Sequence, residues 1–424
     1  MNLRLQAEAA ASLPALAWVA EVCWSLSTLR VWHGAEVEVG DSFAVEGLWD
    51  GDFSAGRFHK EGFLFGSGLV ADAAGVWFVP SRALVDRVIC GEGEDLVVAS
   101  NSLVAAMAWA GAELQVDHDY RRESYQILKG LDGYDPTFAL VHPQIRRWRQ
   151  HFHDPVLYSP SGFEIAPRQS PSPVESFQVY SEEMAGLLER LKRNSESPSR
   201  RRTVPWVSTI SSGYDSPAVT ALAMQAGLEE CLSVPNSNSL LPAWVDSSAG
   251  ADGGELIAEA LGCPIRIMES RTPTRWEDEV PYLSPSAADP ELALYPVMEH
   301  LRGKGRVKAL LTGYHGDKTW DRIVPSDYLG PDLRRGDISG LNLSEARLEA
   351  GVIHVALPFF LARSIRDLQR IAASPEMAPW ALGNEYDQPI PRRILEEAGV
   401  GRELFGMRKR AVVQRYPFPK VPEG

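Results

Sequence analysis

The sequence predicts an α/β protein: a C-terminal parallel sheet flanked by helices, preceded by a strand-rich α+β domain. Three observations carry that expectation. An apolar segment, Val204 to Ile210, runs into Ser211-Ser212-Gly213-Tyr214-Asp215-Ser216 and then into a helix-like stretch, Pro217 to Ala226. A second buried-strand pattern, Val307 to Leu311, runs into Thr312-Gly313-Tyr314-His315-Gly316-Asp317-Lys318. Short apolar or alternating runs bounded by Gly and polar turns fill the first part of the chain, which is the pattern of strands.

From the N-terminus, Ala9 to Val22 is mostly apolar, with Glu8 before it and Glu21 near its end. Only Arg4 precedes it as a base, so it reads as an amphipathic or buried helix rather than a signal peptide. Phe63 to Gly66, Gly75 to Val79 and Asp95 to Ser100 read as strands, the last leading into a helical pattern through Leu103 and Met107. The Pro/Ser-dense run Pro167 to Pro173 suits a connection between domains, here 1–175 and 176–424. A helix over Val179 to Leu191 and an exposed loop over Arg193 to Arg202 lead to the Val204 strand.

Beyond it, expected strands at Cys231 to Val234, Pro264 to Met268 and Lys308 to Leu311 alternate with helices at Gly254 to Leu261 and Glu291 to Leu301. Strands separated by helices imply a parallel sheet with ligands at its carboxyl edge, where both Gly-containing loops would open. Residues after about 340 read as mainly helical.

The 424 residues suffice for two or three domains, and 45% apolar and 23% charged residues are ordinary globular values. No apolar stretch approaches the ~20 residues of a membrane span, so a cytoplasmic protein is expected. A net charge of −14 disfavours a nucleic-acid partner. The basic runs Arg146 to Arg149 and Arg200 to Arg202 read as solvated faces or linker. Cys23, Cys90, Cys231 and Cys263 form no C-x-x-C or Cys/His spacing, which argues against structural zinc and dithiol chemistry.

A strand, a Ser/Gly loop and a helix make a phosphate cradle, because loop N–H groups and the helix N-terminus favour negative charge at one spot. An acid inside such a loop, Asp215, would repel phosphate unless it held a metal, which points to Mg²⁺ on a polyphosphate. The plainer alternative is a Ser/Gly turn capping a helix. There is no P-loop sequence of the GxxxxGK type nearby.

The run from Ser211 to Ser216 resembles the S-G-G-x-D-S loop of the PP-loop ATP pyrophosphatases, with Ser212 in place of the second glycine. Gly313 to Lys318 resembles the G-E-G-x-D-E loop of asparagine synthetase-type domains, with Asp317 matching the second metal-binding aspartate. Tyr314, where that loop carries glutamate, resembles the β-lactam and carbapenam synthetases.

That resemblance implies ATP and Mg²⁺, with Asp215 and Asp317 on the metal. It places Val207, Ser208, Ser211, Ser212, Gly213, Tyr214, Asp215, Ser216, Val234 and Gly313 at the nucleotide. It also implies a catalytic set of Tyr314, Glu349 and Lys409, in which a Tyr–Glu dyad assists deprotonation of an amine and the lysine stabilises the acyl centre. Each has a plainer reading: a packed loop aromatic, a solvated helix carboxylate, and a surface cation beside Arg408 and Arg410. His315 and Lys318, which depart from the family loop, rank second; Lys318 suits a phosphate contact as a point charge.

Ser81 to Arg87 and Leu96 to Ser100 loosely resemble the core of glutaminase-like (Ntn) domains. The chain opens Met1-Asn2-Leu3, with no cysteine before Cys23, so a degenerate domain without the N-terminal glutaminase reaction is expected; an unrelated α+β domain is the alternative.

The expected function is an ATP-dependent, AMP-forming amide or lactam synthetase, joining a small-molecule or peptide carboxylate to an amine, with no nucleic acid and no membrane. The alternatives are an ammonia-dependent asparagine synthetase-like ligase or peptide macrolactam cyclase, and a catalytically silent nucleotide-binding partner. Oligomeric state is open, a homodimer among the options.

Overall fold

Five short strands, each followed by a connection back across the sheet, build the C-terminal half. In spatial order they are Ile265–Ile267, Glu230–Ser233, Trp206–Thr209, Lys308–Thr312 and Val352–Ala356, every neighbour parallel. The computed structural model describes residues 3–118, 120–168, 172–234, 253–268, 294–338, 340–384 and 386–406. Strands buried on both faces carry unbroken apolar runs, and here Val207, Leu232, Leu310 and Val352 face one side with Val297 and Leu301 of the helix Tyr295–Arg302. Trp206, Cys231, Ala309 and Ile353 face the other, against the helices Phe177–Ser195, Asp215–Gln225 and Pro389–Glu397.

The strand order has a functional consequence. From Trp206–Thr209 the chain winds outward through Glu230–Ser233 to Ile265–Ile267, then returns to lay Lys308–Thr312 on the opposite side of its starting strand. The winding direction reverses between Trp206–Thr209 and Lys308–Thr312. Open α/β sheets bind ligands in the crevice at such a reversal, outside the strand carboxyl ends.

The fifth strand differs from the expectation of a mainly helical end. Val352–Ala356 is a buried β-branched run, and His354 at its centre masks the apolar pattern in the sequence. In the rest of the C-terminal half the expected helices form. Phe177–Ser195 starts two residues earlier than expected because Ser176 caps it, accepting from the Val179 N–H at 3.3 Å.

The N-terminal half is two stacked six-stranded sheets. One centres on Trp18–Cys23, antiparallel to Thr28–His33 and Leu96–Ser100; the other centres on Leu64–Asp72 and Gly75–Val79. Trp18, Ala20, Val22 and Ala99 meet Leu69, Val76, Phe78 and Tyr158 between them. The helix Leu103–Ala110 covers the outer face of the first sheet over Val19, Ile89 and Val98.

The helix expected over Ala9 to Val22 is not formed. Strand Arg4–Ala9 gives way to a turn and then to strand Trp18–Cys23. Pro14 lacks the N–H a helix interior needs, and Trp18, Val19 and Val22 are residues that fill a central strand well.

The two halves share one hydrophobic cluster, with Phe63, Leu84 and Val85 packed among residues of the C-terminal half. A buried ion group lies at their seam. Arg347, on the helix Ser344–Ala350, donates to Glu46 at 2.9 and 3.0 Å and to Asp86 at 2.6 Å, and all three side chains are almost wholly enclosed. Ser102 also donates to Glu345 at 2.6 Å across the same seam.

Candidate functional site

The loop after Trp206–Thr209 and the loop after Lys308–Thr312 meet at the reversal point. A Cβ on Gly313 would lie 2.6 Å from the Asp215 carbonyl carbon and the Ser216 nitrogen, and one on Gly316 would lie 2.5 Å from the Asp215 carboxylate. At Gly313 the contact is with backbone and at Gly316 with the Asp215 carboxylate, and neither leaves room for a side chain, which is the physical reason for glycine at both positions. The helix Asp215–Gln225 begins at Tyr214 without a side-chain cap hydrogen bond, and its first residue, Asp215, puts a carboxylate at the positive end of the helix dipole.

Within the first loop, Ser211 Oγ and Ser216 Oγ are 2.8 Å apart, and the Gly213 N–H donates to Ser211 Oγ at 3.4 Å. The Ser212 carbonyl accepts the Gly406 N–H at 3.0 Å, tying the far end of the described chain to the loop. Tyr214 turns away from the cleft. Its ring is fully enclosed, 4.7 Å from Tyr386 and 6.0 Å from Phe405, and its hydroxyl bonds the Arg392 guanidinium. Its contribution to the cleft is therefore backbone only. The Tyr386 hydroxyl reaches back over the loop, 3.6 Å from where a Gly213 Cβ would stand.

A cavity of about 170 Å³ opens between the loops, lined by Asp215, Gly313, Tyr314, His315, Asp317, Lys318, Arg335, Gly336, Asp337 and Phe359. Asp215 and Asp317 thus face one space although 102 positions separate them. Lys318 Nζ lies 2.7 Å from Asp317 Oδ2; burial pulls the ammonium down, but the Asp317 charge outweighs it and holds its pKa above the ordinary value.

His315 takes a left-handed backbone, φ 72°, with its ring stacked on Phe359 at 4.4 Å. Burial pushes its pKa down to about 4, so the imidazole is neutral near pH 7. Tyr314 stands edge-on to His354 at 5.3 Å, and His354 Nε2 is 2.8 Å from Thr312 Oγ1.

Of the other expected site residues, Val207 is enclosed in the core, and Ser208 Oγ is 2.8 Å from Thr220 Oγ1 beneath the loop. Val234 packs beside that core just past the end of Glu230–Ser233. Glu349 is not brought to Tyr314. It pairs with Arg302 at 2.6 Å, where the helices Ser344–Ala350 and Tyr295–Arg302 meet, and it does not line the cavity. The reason is helical phase: Arg347 and Leu348 claim the inward face of that short helix, which leaves Glu349 half-exposed. Lys409 lies outside the described residues.

Sequence reasoning missed Arg335 and Asp337, which enter the cavity from an irregular segment. Arg335 bonds the Leu84 carbonyl of the N-terminal half and lies 3.9 Å from Asp337. No periodicity or motif marks that segment.

Among the described residues, no group of three or more His, Cys, Asp or Glu is placed to hold a metal ion alone. Magnesium needs no such group: it favours hard oxygen ligands and is commonly held by one or two carboxylates together with substrate phosphates and water. Asp215 and Asp317 fit that requirement. Among the described residues, no helix is long and apolar enough to cross a membrane.

No protein-family model matches the chain, and no curated protein matches it. Among solved structures, it is similar to the predicted subunit of a tRNA methyltransferase from Methanocaldococcus jannaschii, at 14% identity and a TM-score of 0.22, over 49% of this chain and 95% of that one. A likeness of that degree carries no argument about function.

Proposed function

We propose that this protein is an ATP-dependent, AMP-forming amide or lactam synthetase. A substrate carboxylate attacks the α-phosphorus of ATP and releases pyrophosphate; an amine then attacks the acyl carbon and releases AMP. The observation that carries the reading is the meeting of the Ser211–Ser216 loop with the Gly313–Lys318 loop at the sheet's reversal point, with Asp215 and Asp317 on one cavity.

In this reading the Ser211–Ser216 loop and the uncapped helix bind pyrophosphate oxygens. Asp215 and Asp317 hold Mg²⁺, which supplies charge neutralisation for the triphosphate. Tyr314 lines the cavity, which supports reading it as the residue that orients the incoming amine. The N-terminal sheets are read as a degenerate glutaminase-like domain, supported by their two-layer stacking. The second reading, a silent nucleotide-binding partner, is favoured by Lys318 occupying Asp317.

Exchange of labelled pyrophosphate into ATP, run against a panel of carboxylic acids and amino acids, tests both. Exchange with at least one acid, lost in Asp215→Ala and Asp317→Ala, is the expected result. ATP binding without exchange for any acid would leave the silent partner standing instead.

A further inference from the structure

We propose that Lys318 is a resident counter-ion on Asp317 that keeps divalent metal off this carboxylate until a phosphate-bearing ligand draws the ammonium away. This rests on reading Asp317 as a metal-holding residue. Lys318 Nζ already sits 2.7 Å from Asp317 Oδ2, against one of the two oxygens that carboxylate could offer a metal. An ammonium and a divalent cation repel one another at such short range, so the Lys318 charge weakens metal binding at Asp317.

The charge around the cavity points the same way. Asp215, Asp317 and Asp337 face Lys318 and Arg335, leaving one net negative charge on the lining. That is a poor lure for a bare divalent ion.

The two cations are not equivalent. Arg335 is 3% exposed and anchored to the Leu84 carbonyl, so it stays where it is. Lys318 is 22% exposed on a flexible stem, with a compact charge able to turn toward phosphate. Its stem has a defined track: a Cβ on Gly336 would come within 2.7 Å of Lys318 Cε, and the ammonium lies 5.8 Å from the Tyr328 ring. A polyphosphate entering above the helix Asp215–Gln225 offers Lys318 a new partner and brings its own attraction for metal. Metal and nucleotide then bind with positive coupling, and the coupling is reciprocal.

Binding measurements on the full chain test this without turnover. Mn²⁺, followed by the loss of its free-ion paramagnetic resonance signal with no nucleotide present, is expected to bind Lys318→Met about tenfold tighter than wild type or more. That gain is expected to vanish in the double variant Asp317→Asn with Lys318→Met. Lys318→Arg, which keeps the charge, is expected to stay near wild type and shows that the gain is not a folding artefact. In EDTA, a non-hydrolysable ATP analogue is expected to bind Lys318→Met several-fold more weakly than wild type.

Mn²⁺ affinity unchanged by Lys318→Met, a gain that survives loss of Asp317, or metal-free nucleotide binding indifferent to Lys318 would each overturn the proposal. The exchange assay is separate from these readouts. Exchange with no Mn²⁺ effect sinks only this inference, whereas the Mn²⁺ effect without exchange sinks only the synthetase reading.

Discussion

The backbone of Gly313 presses against Asp215, so closely that a Cβ on the glycine would stand 2.6 Å from the Asp215 carbonyl carbon. This contact joins two loops that are about a hundred residues apart in the chain and sets the width of the cleft between them. The atoms that would be struck are backbone, which cannot swing aside as a side chain would.

Gly313→Ala is therefore expected to pry the loops apart. Overpacking of this kind costs about 1–3 kcal/mol. Thermal melting should show the loss of stability, and titration with a fluorescent ATP analogue should show weakened binding. A variant with wild-type melting and nucleotide affinity would mean that the loops do not need this contact.

Tyr314 and Glu349 should separate in kinetics. Glu349 is engaged with Arg302 on the far side of its helix, so Glu349→Gln is expected to leave product formation unchanged. Its half-exposed pair is worth about 0–1 kcal/mol of stability. Tyr314→Phe is expected to preserve pyrophosphate exchange while lowering product formation by about 10²-fold, the loss expected when a reacting group is misplaced. Assays with whichever acid supports exchange will decide; a large loss for Glu349→Gln would restore the dyad.

Arg347 is the counter-charge for both Glu46 and Asp86 at the seam of the halves. Removing one partner of a buried ion group strands the rest and costs about 3–5 kcal/mol. Arg347→Met should show that loss in urea unfolding. Replacing Arg347, Glu46 and Asp86 together by apolar residues should recover much of it, because the desolvation cost then disappears with the charges.

Acid should destabilise the fold through its buried imidazoles. Burial pushes His151 and His354 down to about 3, and His59 and His153 down to about 4, from an ordinary 6.5. Below pH 6.5 the unfolded chain takes up these protons and the folded chain does not. The stability is thus fully present above pH 6.5 and is lost as pH falls, down to about 4 for His59 and His153 and about 3 for His151 and His354. Each such group contributes a slope of about 1.4 kcal/mol per pH unit. His153 has φ 61°, a left-handed conformation that asparagine tolerates, so His153→Asn removes one titrating ring at little backbone cost. Its stability profile between pH 4 and 6 should be flatter than wild type by one such slope.

Much of the C-terminal half was legible in the sequence because its elements are local. Val204 to Ile210 is apolar and bounded by a Ser/Gly loop, so strand, turn and helix each follow from neighbouring residues. Val352–Ala356 escaped because one histidine interrupts its pattern, and a bond to Thr312 satisfies that histidine only after folding. Ala9 to Val22 misled because apolar content dominated the reading, while Pro14 carried the deciding information.

The amino-acid sequence by itself determined four of the sheet's strands, the helices that alternate with them and the two acid-bearing loops. Those properties live in short windows, where sterics and periodicity act between near neighbours. Tertiary structure alone decided that Asp215 and Asp317 share a cavity, that Arg335 and Asp337 join them, that Tyr214 points inward and that Glu349 belongs to Arg302. Each of those outcomes depends on which face of an element is already taken by packing. Lys318 shows the division most clearly: its charge was plain in the sequence, but its placement on Asp317 depended on the fold.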